Sequence, residues 1–178
     1  NAPVEATEAK NPIIVEHRAL RQDSGGAGKF RGGLGVSNEV RMRRPATIHA
    51  HVERTVCAPW GLHGGKDALA NQIFVSHNNG AVETFPTGKI KPTEIDNGDS
   101  FTIETGGGGG FWGAFERPAE KVLVDVRSGY VSVEAARRDY GVAIRQDGRR
   151  FELDSAATAE LRRNHEKESD SEILPQRT

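Results

Sequence analysis

Cysteine, net charge and long apolar stretches are scarce in this chain, and each scarcity excludes a class of protein. The single cysteine, Cys57, excludes an internal disulfide framework and is compatible with a reducing cytoplasm. The 24 Lys and Arg residues nearly cancel the 25 Asp and Glu residues, so there is no electrostatic footprint for nucleic acid or an anionic membrane. No apolar run approaches the roughly 20 residues that cross a bilayer. The composition therefore predicts a cytoplasmic protein without nucleic-acid or membrane partners.

The two ends of the chain also differ from those of a typical domain. The first residue is Asn1 rather than an initiator methionine, so we expect the chain to be processed or cut from a longer polypeptide. Residues 162–178 are charged and polar apart from Ile173 and Leu174, which predicts a flexible tail. The length fits one domain, which we place at residues 1–161.

Glycine, by contrast, is abundant and concentrated in two loops. Residues 24–35 contain six glycines among twelve residues, together with Lys29 and Arg31, and residues 106–110 are all glycine. Glycine at this density indicates that the backbone adopts conformations or close approaches that a Cβ atom would block. We therefore expect both loops to bring backbone amides close to another group.

Residues 24–35 match neither nucleotide-binding glycine motif. A Walker loop needs glycine at position 23 and a hydroxyl residue at position 30, where Asp23 and Phe30 stand. The dinucleotide-binding pattern needs a glycine where Arg31 stands. Two interpretations stay open: a nest of backbone amides that binds an anion with Lys29 and Arg31, and a packed turn between two strands, which base rates favour.

Two histidines and a glutamate alternate along a predicted strand. Alternation places His49, His51 and Glu53 on one strand face, with about 6.6 Å between successive members. Imidazole and carboxylate groups are good ligands for Zn, Mn or Fe, so the three residues are candidates for a metal site. Because the sequence identifies no fourth ligand, a solvated strand face that carries two histidines is the favoured interpretation.

The order of the predicted elements indicates an α+β fold: a β-rich mixed domain with glycine-rich loops and two or three short helices towards the C-terminus. Ser132 and Gly141 bound one predicted helix as its N-cap and its stop. Residues 118–126 fit a helix or a strand, and a final helix is predicted from Ala156 to about Arg163. The predicted strands are residues 13–20, 36–44, 46–56, 72–76, 81–84, 101–105, 142–145 and 150–153.

Several segments together resemble the C-terminal part of the B-type subunit of the hydantoinase B/5-oxoprolinase family, whose members include N-methylhydantoinase beta and acetone and acetophenone carboxylase subunits. The resemblance extends in the expected order from Asn1 to about Arg163. The matching segments are residues 1–5, 23–35, 59–65, 98–99, 105–110 and 129–142. Residues 111–115 depart from the family, because Phe-Trp-Gly-Ala-Phe stands where Tyr-Gly-Asp-Pro is common and an acidic residue is lost.

The resemblance implies that this chain functions within an ATP-dependent enzyme complex. A hydantoinase A-type subunit uses ATP and Mg to activate an amide or carbonyl oxygen, and the B-type subunit then hydrolyses a cyclic amide. A ketone carboxylase of the acetone or acetophenone type is an alternative, and so is a purely structural assembly domain. The family's divalent metal belongs to the N-terminal part of the B-type subunit. We therefore expect this chain to pack against that part, to hold no cofactor and to be inactive alone.

The candidate binding residues come from the glycine-rich segments of the resemblance. We expect these loops to line a pocket for the small-molecule substrate or for an acyl-phosphate-like intermediate, whose negative charge would meet backbone amides and cationic side chains. The catalytic residues are not identified. The candidates are Ser24, Gly25, Gly26, Lys29, Arg31, His63, Gly108 and Gly109.

Overall fold

A computed structural model describes residues 3–173, with side chains described up to residue 167, and its strands precede most of its helices. The first elements are α1 (Val4–Lys10), β1 (Ile13–Leu20), β2 (Val36–Met42), β3 (Ala46–His51), β4 (Gln72–Ser76), β5 (Val82–Thr84), β6 (Lys89–Ile95) and β7 (Ser100–Glu104). A 3₁₀ helix (Ala114–Glu116), α2 (Ala119–Arg127), α3 (Val133–Tyr140), β8 (Ile144–Asp147), β9 (Arg150–Leu153) and α4 (Ser155–Ile173) follow. The predicted α+β class is confirmed.

Five strands form an antiparallel sheet in the order β1-β2-β7-β4-β5, and β3 pairs separately with β6. The two assemblies share one apolar core. Met42 on β2, Val75 on β4 and Ile95 on β6 are buried in it, and Ile48 and Phe101 pack against them. Burial of these side chains therefore holds the β3–β6 pair on the sheet.

The helices form a second core with the β8–β9 hairpin. Val122, Ala136 and Val142 are fully buried in this core. Ala27, within the first glycine loop, and Ala114, a few residues after the second, also belong to it. The glycine-rich segments therefore lie directly against the helical part of the protein.

The predicted ends of α3 are confirmed. The Ser132 hydroxyl accepts a hydrogen bond from Ala135 N at 3.0 Å, and Gly141 has a left-handed φ of 61°. Of residues 118–126, Pro118 is the N-cap and the rest are helical, because Val122 and Val126 share one buried helical face, while Val124 is exposed.

Helix α4 begins near the predicted residue but continues to Ile173. The backbone of residues 162–173, predicted to be a flexible tail, is therefore helical, and residues 174–178 of that tail lie outside the described residues. Two residues at the start of this segment also contact the rest of the protein. Arg162 Nη2 donates to Arg117 O at 2.7 Å, and the His165 ring stacks on Phe115. The domain boundary at residue 161 stays a prediction.

The sequence pattern does not predict helix α1 or strand β6. Strand β6 carries Pro92 at its centre, which removes a backbone donor and argues against a strand. Its only partner among the described strands is β3, and the ladder is irregular between Ile48 and Ala50, which pair with Thr93 and Ile90. Pro92 therefore occupies the break in the ladder.

Asp99 joins the turn that follows β4 to the turn that precedes β7. Its carboxylate is buried and accepts hydrogen bonds from Asp96 N and Asn78 N, both at 3.0 Å. His77 Nδ1 lies 2.9 Å from Asp99 Oδ2. The hydrogen bond from Asp96 N is the main reason that the pKa of Asp99 lies below its ordinary value, and it outweighs the opposing effect of burial.

The lowered pKa of Asp99 predicts a pH-dependent contribution to stability. Because the folded-state pKa lies below the unfolded one, the carboxylate stabilises the fold at neutral pH, and this contribution is lost as the pH falls through the folded pKa. We expect Asp99→Asn to lower the urea midpoint at pH 7, and the difference from wild type to shrink below about pH 4. Asp96→Asn, on an exposed side chain of the same turn, is the control. A difference that stays constant with pH would contradict this role.

Substitutions at two left-handed glycines can distinguish the cost of backbone strain from the cost of a steric clash. Gly141 and Gly148 have φ values of 61° and 57°. A Cβ at Gly141 would contact the Phe115 ring, whereas nothing lies within 4 Å of one at Gly148. We expect Gly148→Ala to cost about 1 kcal/mol of unfolding free energy, and Gly141→Ala to cost about 1–3 kcal/mol more. Urea unfolding of both variants measures the difference, and equal losses would show that the Phe115 contact relaxes freely.

Candidate functional site

Three glycine-rich segments lie side by side, and we call residues 24–35, 60–66 and 105–113 the glycine bundle. The first and third segments are joined by hydrogen bonds from Gly26 N to Gly108 O and from Gly108 N to Gly33 O, both 2.9 Å. Hydrogen bonds from Gly110 N to Lys66 O at 2.9 Å and from Lys66 N to Ala27 O at 2.7 Å bring in the second segment. Each segment therefore contacts the other two through its backbone.

Close approach, rather than unusual backbone dihedrals, explains most glycines of the first and third segments. A Cβ at Gly32 would lie against Gly108 O, one at Gly107 against Ser24 O, and one at Gly110 against Ala27 O. The glycines of residues 24–35 and 106–110, all of them described, have no left-handed φ. The bundle is therefore packed backbone against backbone, at distances that a side chain would prevent.

The Ser24 hydroxyl closes the first glycine segment. Ser24 is fully buried, and its Oγ donates to Arg21 O at 2.5 Å and accepts from Gly35 N at 2.8 Å. Its carbonyl oxygen accepts from Leu69 N at 3.0 Å. The side chain thus joins the two ends of the loop, where β1 ends and β2 begins.

Arg31 reaches from the first glycine segment to helix α2. Its guanidinium lies 3.3 Å from Asp125 Oδ2, donates to Gly32 O at 2.6 Å and covers the Tyr130 ring. Arg117 shares the same carboxylate at 2.8 Å and also donates to Lys29 O at 2.9 Å. Two guanidinium groups therefore share one buried carboxylate, which leaves a net positive charge beside the bundle.

Lys29 lies nearer the surface than Arg31. Its Nζ is 3.0 Å from Glu116 Oε2, and both side chains are about half exposed. Surface pairs of this kind contribute at most about 1 kcal/mol, so the ammonium group exchanges partners readily.

One surface of the bundle is aromatic. The His63 and Trp112 rings stack with centroids 5.5 Å apart, and the Phe111 ring stands edge-on to both. His63 and Trp112 are the non-glycine residues of the bundle with left-handed backbones, at φ values of 50° and 61°. Phe30 and Leu62 complete the cluster through backbone bridges to Phe111. We call Phe30, Leu62, His63, Phe111 and Trp112 the aromatic patch.

A groove of about 760 Å³ lies next to the bundle and is rich in cations. Its walls include Lys66, Arg137 and Arg138 together with Asp139. Asp139 accepts from Lys66 Nζ and from Arg138 Nη2, both at 2.7 Å. Burial opposes ionisation of this carboxyl, but the two cations outweigh burial and lower the pKa of Asp139.

All eight binding candidates lie in the glycine bundle. Ser24 Oγ accepts from Gly35 N, Gly26 N donates to Gly108 O, and Lys29 and Arg31 each have a carboxylate partner. His63 belongs to the aromatic patch. Their role in binding an anion or a substrate stays a prediction.

Sequence reasoning missed Asp125, the carboxylate that Arg31 and Arg117 share. It is buried next to Val126 on helix α2. The only signal in the sequence is a carboxylate among the valines of residues 118–126, and its partner Arg31 comes from a distant part of the chain.

The structure places His49 and His51 on the exposed face of β3, as the alternation predicts, and Glu53 is exposed beyond the strand. His51 stands opposite Lys89, a cation that would oppose a bound metal. Among the residues that the structure describes, no three His, Cys, Asp or Glu side chains lie together as a possible metal site. Within the same residues, no helix has the length and apolar character to cross a membrane.

Adjacent glycines of the first segment test the close-approach explanation. A Cβ at Gly32 would meet backbone atoms of the third segment, whereas nothing lies within 4 Å of a Cβ at Gly33. We expect Gly32→Ala to lower the free energy of unfolding by more than about 2 kcal/mol, and Gly33→Ala to change it by less than about 0.5 kcal/mol. Chemical denaturation measures both. Equal losses would mean that the bundle is loose enough to admit side chains.

Comparison with known proteins shows where the same architecture recurs. The family model for hydantoinase B/oxoprolinase matches residues 1–114. A putative D-/L-hydantoinase B chain of Pseudomonas sp. (strain NS671) is 29% identical over 92% of this chain and 27% of its own length. The beta chain of caprolactamase from Pseudomonas jessenii is 32% identical over 91% of this chain and 28% of its own length. The chain therefore spans less than a third of these curated relatives.

Solved structures share the fold. The ATP-dependent caprolactamase from Pseudomonas jessenii superposes with a TM-score of 0.74 and 28% identity over 92% of this chain and 28% of that one. Nucleotide-free acetone carboxylase superposes with a TM-score of 0.82 over 98% of this chain and 27% of that one, but at 23% identity this likeness shows the fold alone. The family model supplies the assignment that the glycine-rich segments indicated: the chain belongs to the hydantoinase B/oxoprolinase family.

Proposed function

We propose that this chain is part of the B-type subunit of an ATP-dependent complex that hydrolyses the C–N bond of a cyclic amide. The observation that carries the proposal is the similarity of nearly the whole chain to the beta chain of caprolactamase, at 32% identity over 91% of its length. The similarity to a putative hydantoinase of the B type over 92% of the chain supports the same reaction class.

The proposed complex divides the chemistry among its parts. A hydantoinase A-type partner subunit holds ATP and Mg and activates the amide oxygen, and a divalent metal belongs to the N-terminal part of the B-type subunit. This chain packs against that part and is inactive alone. We propose a cytoplasmic location, in keeping with the exposed Cys57 thiol.

Within the complex, the glycine bundle would face the negatively charged intermediate. The net positive charge that Arg31 and Arg117 leave around Asp125 supports this role, since a fixed cation lowers the energy of an anion that forms beside it. Lys29 is the cation best able to move towards substrate, because its partner Glu116 is half exposed.

A structural role is the second candidate, and one observation favours it. The Arg31 guanidinium contacts Asp125 and donates to Gly32 O. Several backbone amides of the bundle, including Gly26 N and Gly108 N, donate to neighbouring carbonyls. A bundle that satisfies its own polar groups would hold the complex together without touching substrate.

The reaction class is tested on the purified complex. We expect ATP and a cyclic amide to give the ring-opened amino acid, with ADP and phosphate rising in step, and the isolated chain to give no turnover. Acetone or acetophenone with bicarbonate and ATP is the parallel assay. Carboxylation there, without amide hydrolysis, would assign the complex to the ketone carboxylases instead.

Two charged positions separate the binding role from the structural one. If Lys29 meets the anionic intermediate, Lys29→Ala lowers kcat/KM of the complex about 10-fold or more, whereas Glu116→Gln, which removes only the surface partner, leaves it within about 2-fold. Arg31→Ala leaves Asp125 with Arg117 alone and is expected to lower stability in either case. Unchanged kinetics in the Lys29 variant, with weakened assembly in the Arg31 variant, would favour the structural role.

A further inference from the structure

The aromatic patch gathers four exposed large apolar side chains at one place on the surface. The exposed fractions of Phe30, Leu62, Phe111 and Trp112 are 57%, 52%, 37% and 45%. These residues come from three distant stretches of sequence and are brought together by the glycine bundle. Clustered apolar exposure of this kind marks a surface that another polypeptide covers.

The patch is also held in place before any partner arrives. Phe30 and Phe111 exchange backbone hydrogen bonds of 3.1 and 3.0 Å, and Trp112 N donates to Leu62 O at 3.0 Å. The left-handed backbones of His63 and Trp112 are uncommon for side chains of this size and persist because the bundle fixes them. A surface that is already ordered loses little conformational entropy on binding.

The length of the relatives indicates which polypeptide covers the aromatic patch. In the solved caprolactamase and acetone carboxylase, the same fold makes up only 28% and 27% of the chain. More than two thirds of such a chain therefore lies outside the part that this fold covers, and it is tethered to this fold at high effective concentration. The patch contains no carboxylate and no Lys or Arg, so an apolar counterpart fits it best.

We propose that the aromatic patch is the surface on which this chain packs against the rest of its B-type subunit, through apolar side chains of that remainder. The proposal rests on the proposed function in one respect, namely that the chain works as part of such a subunit. It adds the location of the contact.

Hydroxyl-radical footprinting of the isolated chain and of the complete B-type subunit tests this contact. Leu62 and Leu20 form a matched pair, because their exposed fractions in this chain are 52% and 54% and only Leu62 lies in the patch. We expect the oxidation rates of Leu62, Phe111 and Trp112 to fall about 5-fold or more in the complete subunit, as burial at an interface core requires, while the rate of Leu20 stays within about 2-fold. Equal rates for Leu62 in the two samples would overturn the proposal.

A charged substitution gives an independent readout. Leu62→Glu and Leu20→Glu should leave the urea midpoint of the isolated chain close to wild type, because both side chains are exposed there. In the complete subunit, only Leu62→Glu should lower the melting temperature. A fall in the isolated chain alone, or an equal fall for both variants in the complete subunit, would overturn the proposal.

Sedimentation of the isolated chain tests the alternative that a second copy of this chain covers the aromatic patch. We expect a monomer at all concentrations. A dimer whose Leu62 is protected and which Leu62→Glu dissociates would assign the patch to self-association and overturn the proposal. None of these measurements depends on turnover, so a complex that fails to hydrolyse cyclic amides leaves their outcome unaffected.

Discussion

Backbone-to-backbone contact within the glycine bundle is the constraint on which the remaining structure depends. The first segment of the bundle joins β1 to β2, and the third leaves β7, so the sheet supplies both. Ala27, within the first segment, and Ala114, immediately after the third, belong to the helical core. Because the segments touch where a Cβ would not fit, the sheet, the helices and the aromatic patch are held in one fixed arrangement.

A buried ion pair reinforces this arrangement and fixes one of the two cations of the first segment in place. Arg31 crosses from the bundle to Asp125 on α2, and Arg117 shares that carboxylate. Removing one partner of such a buried group is costly because the other charge stays in a low-dielectric site. The Lys29 side chain is half exposed and is paired only at the surface, so it can change partners, whereas Arg31 is held by its buried partner. The two cations of the first glycine segment therefore differ in freedom, since Arg31 is held in a buried ion pair and Lys29 is paired only at the surface.

Local signals predicted those elements that depend on local physics. Strand β4 matches its predicted bounds, and α3 begins at the Ser132 cap and ends at Gly141, because a side-chain cap and a left-handed stop act within a few residues. Strand β6 was not predicted, since Pro92 argues against a strand and only pairing with β3 compensates for it. Helix α2 was ambiguous until tertiary burial of Val122 and Val126 decided between two periodicities.

By itself, the sequence determined the α+β class, the family resemblance and the absence of nucleotide motifs from the first glycine loop, because composition and motif spacing are properties of the chain alone. It could not show that the glycines serve close approach, that Arg31 is committed to Asp125, or that Phe30, Leu62 and Phe111 share one surface. Each of these joins residues far apart in the sequence. Only the folded backbone brings such residues within contact distance, and so only the tertiary structure decided which polar groups of the glycine bundle are already satisfied and which apolar surface remains to be covered.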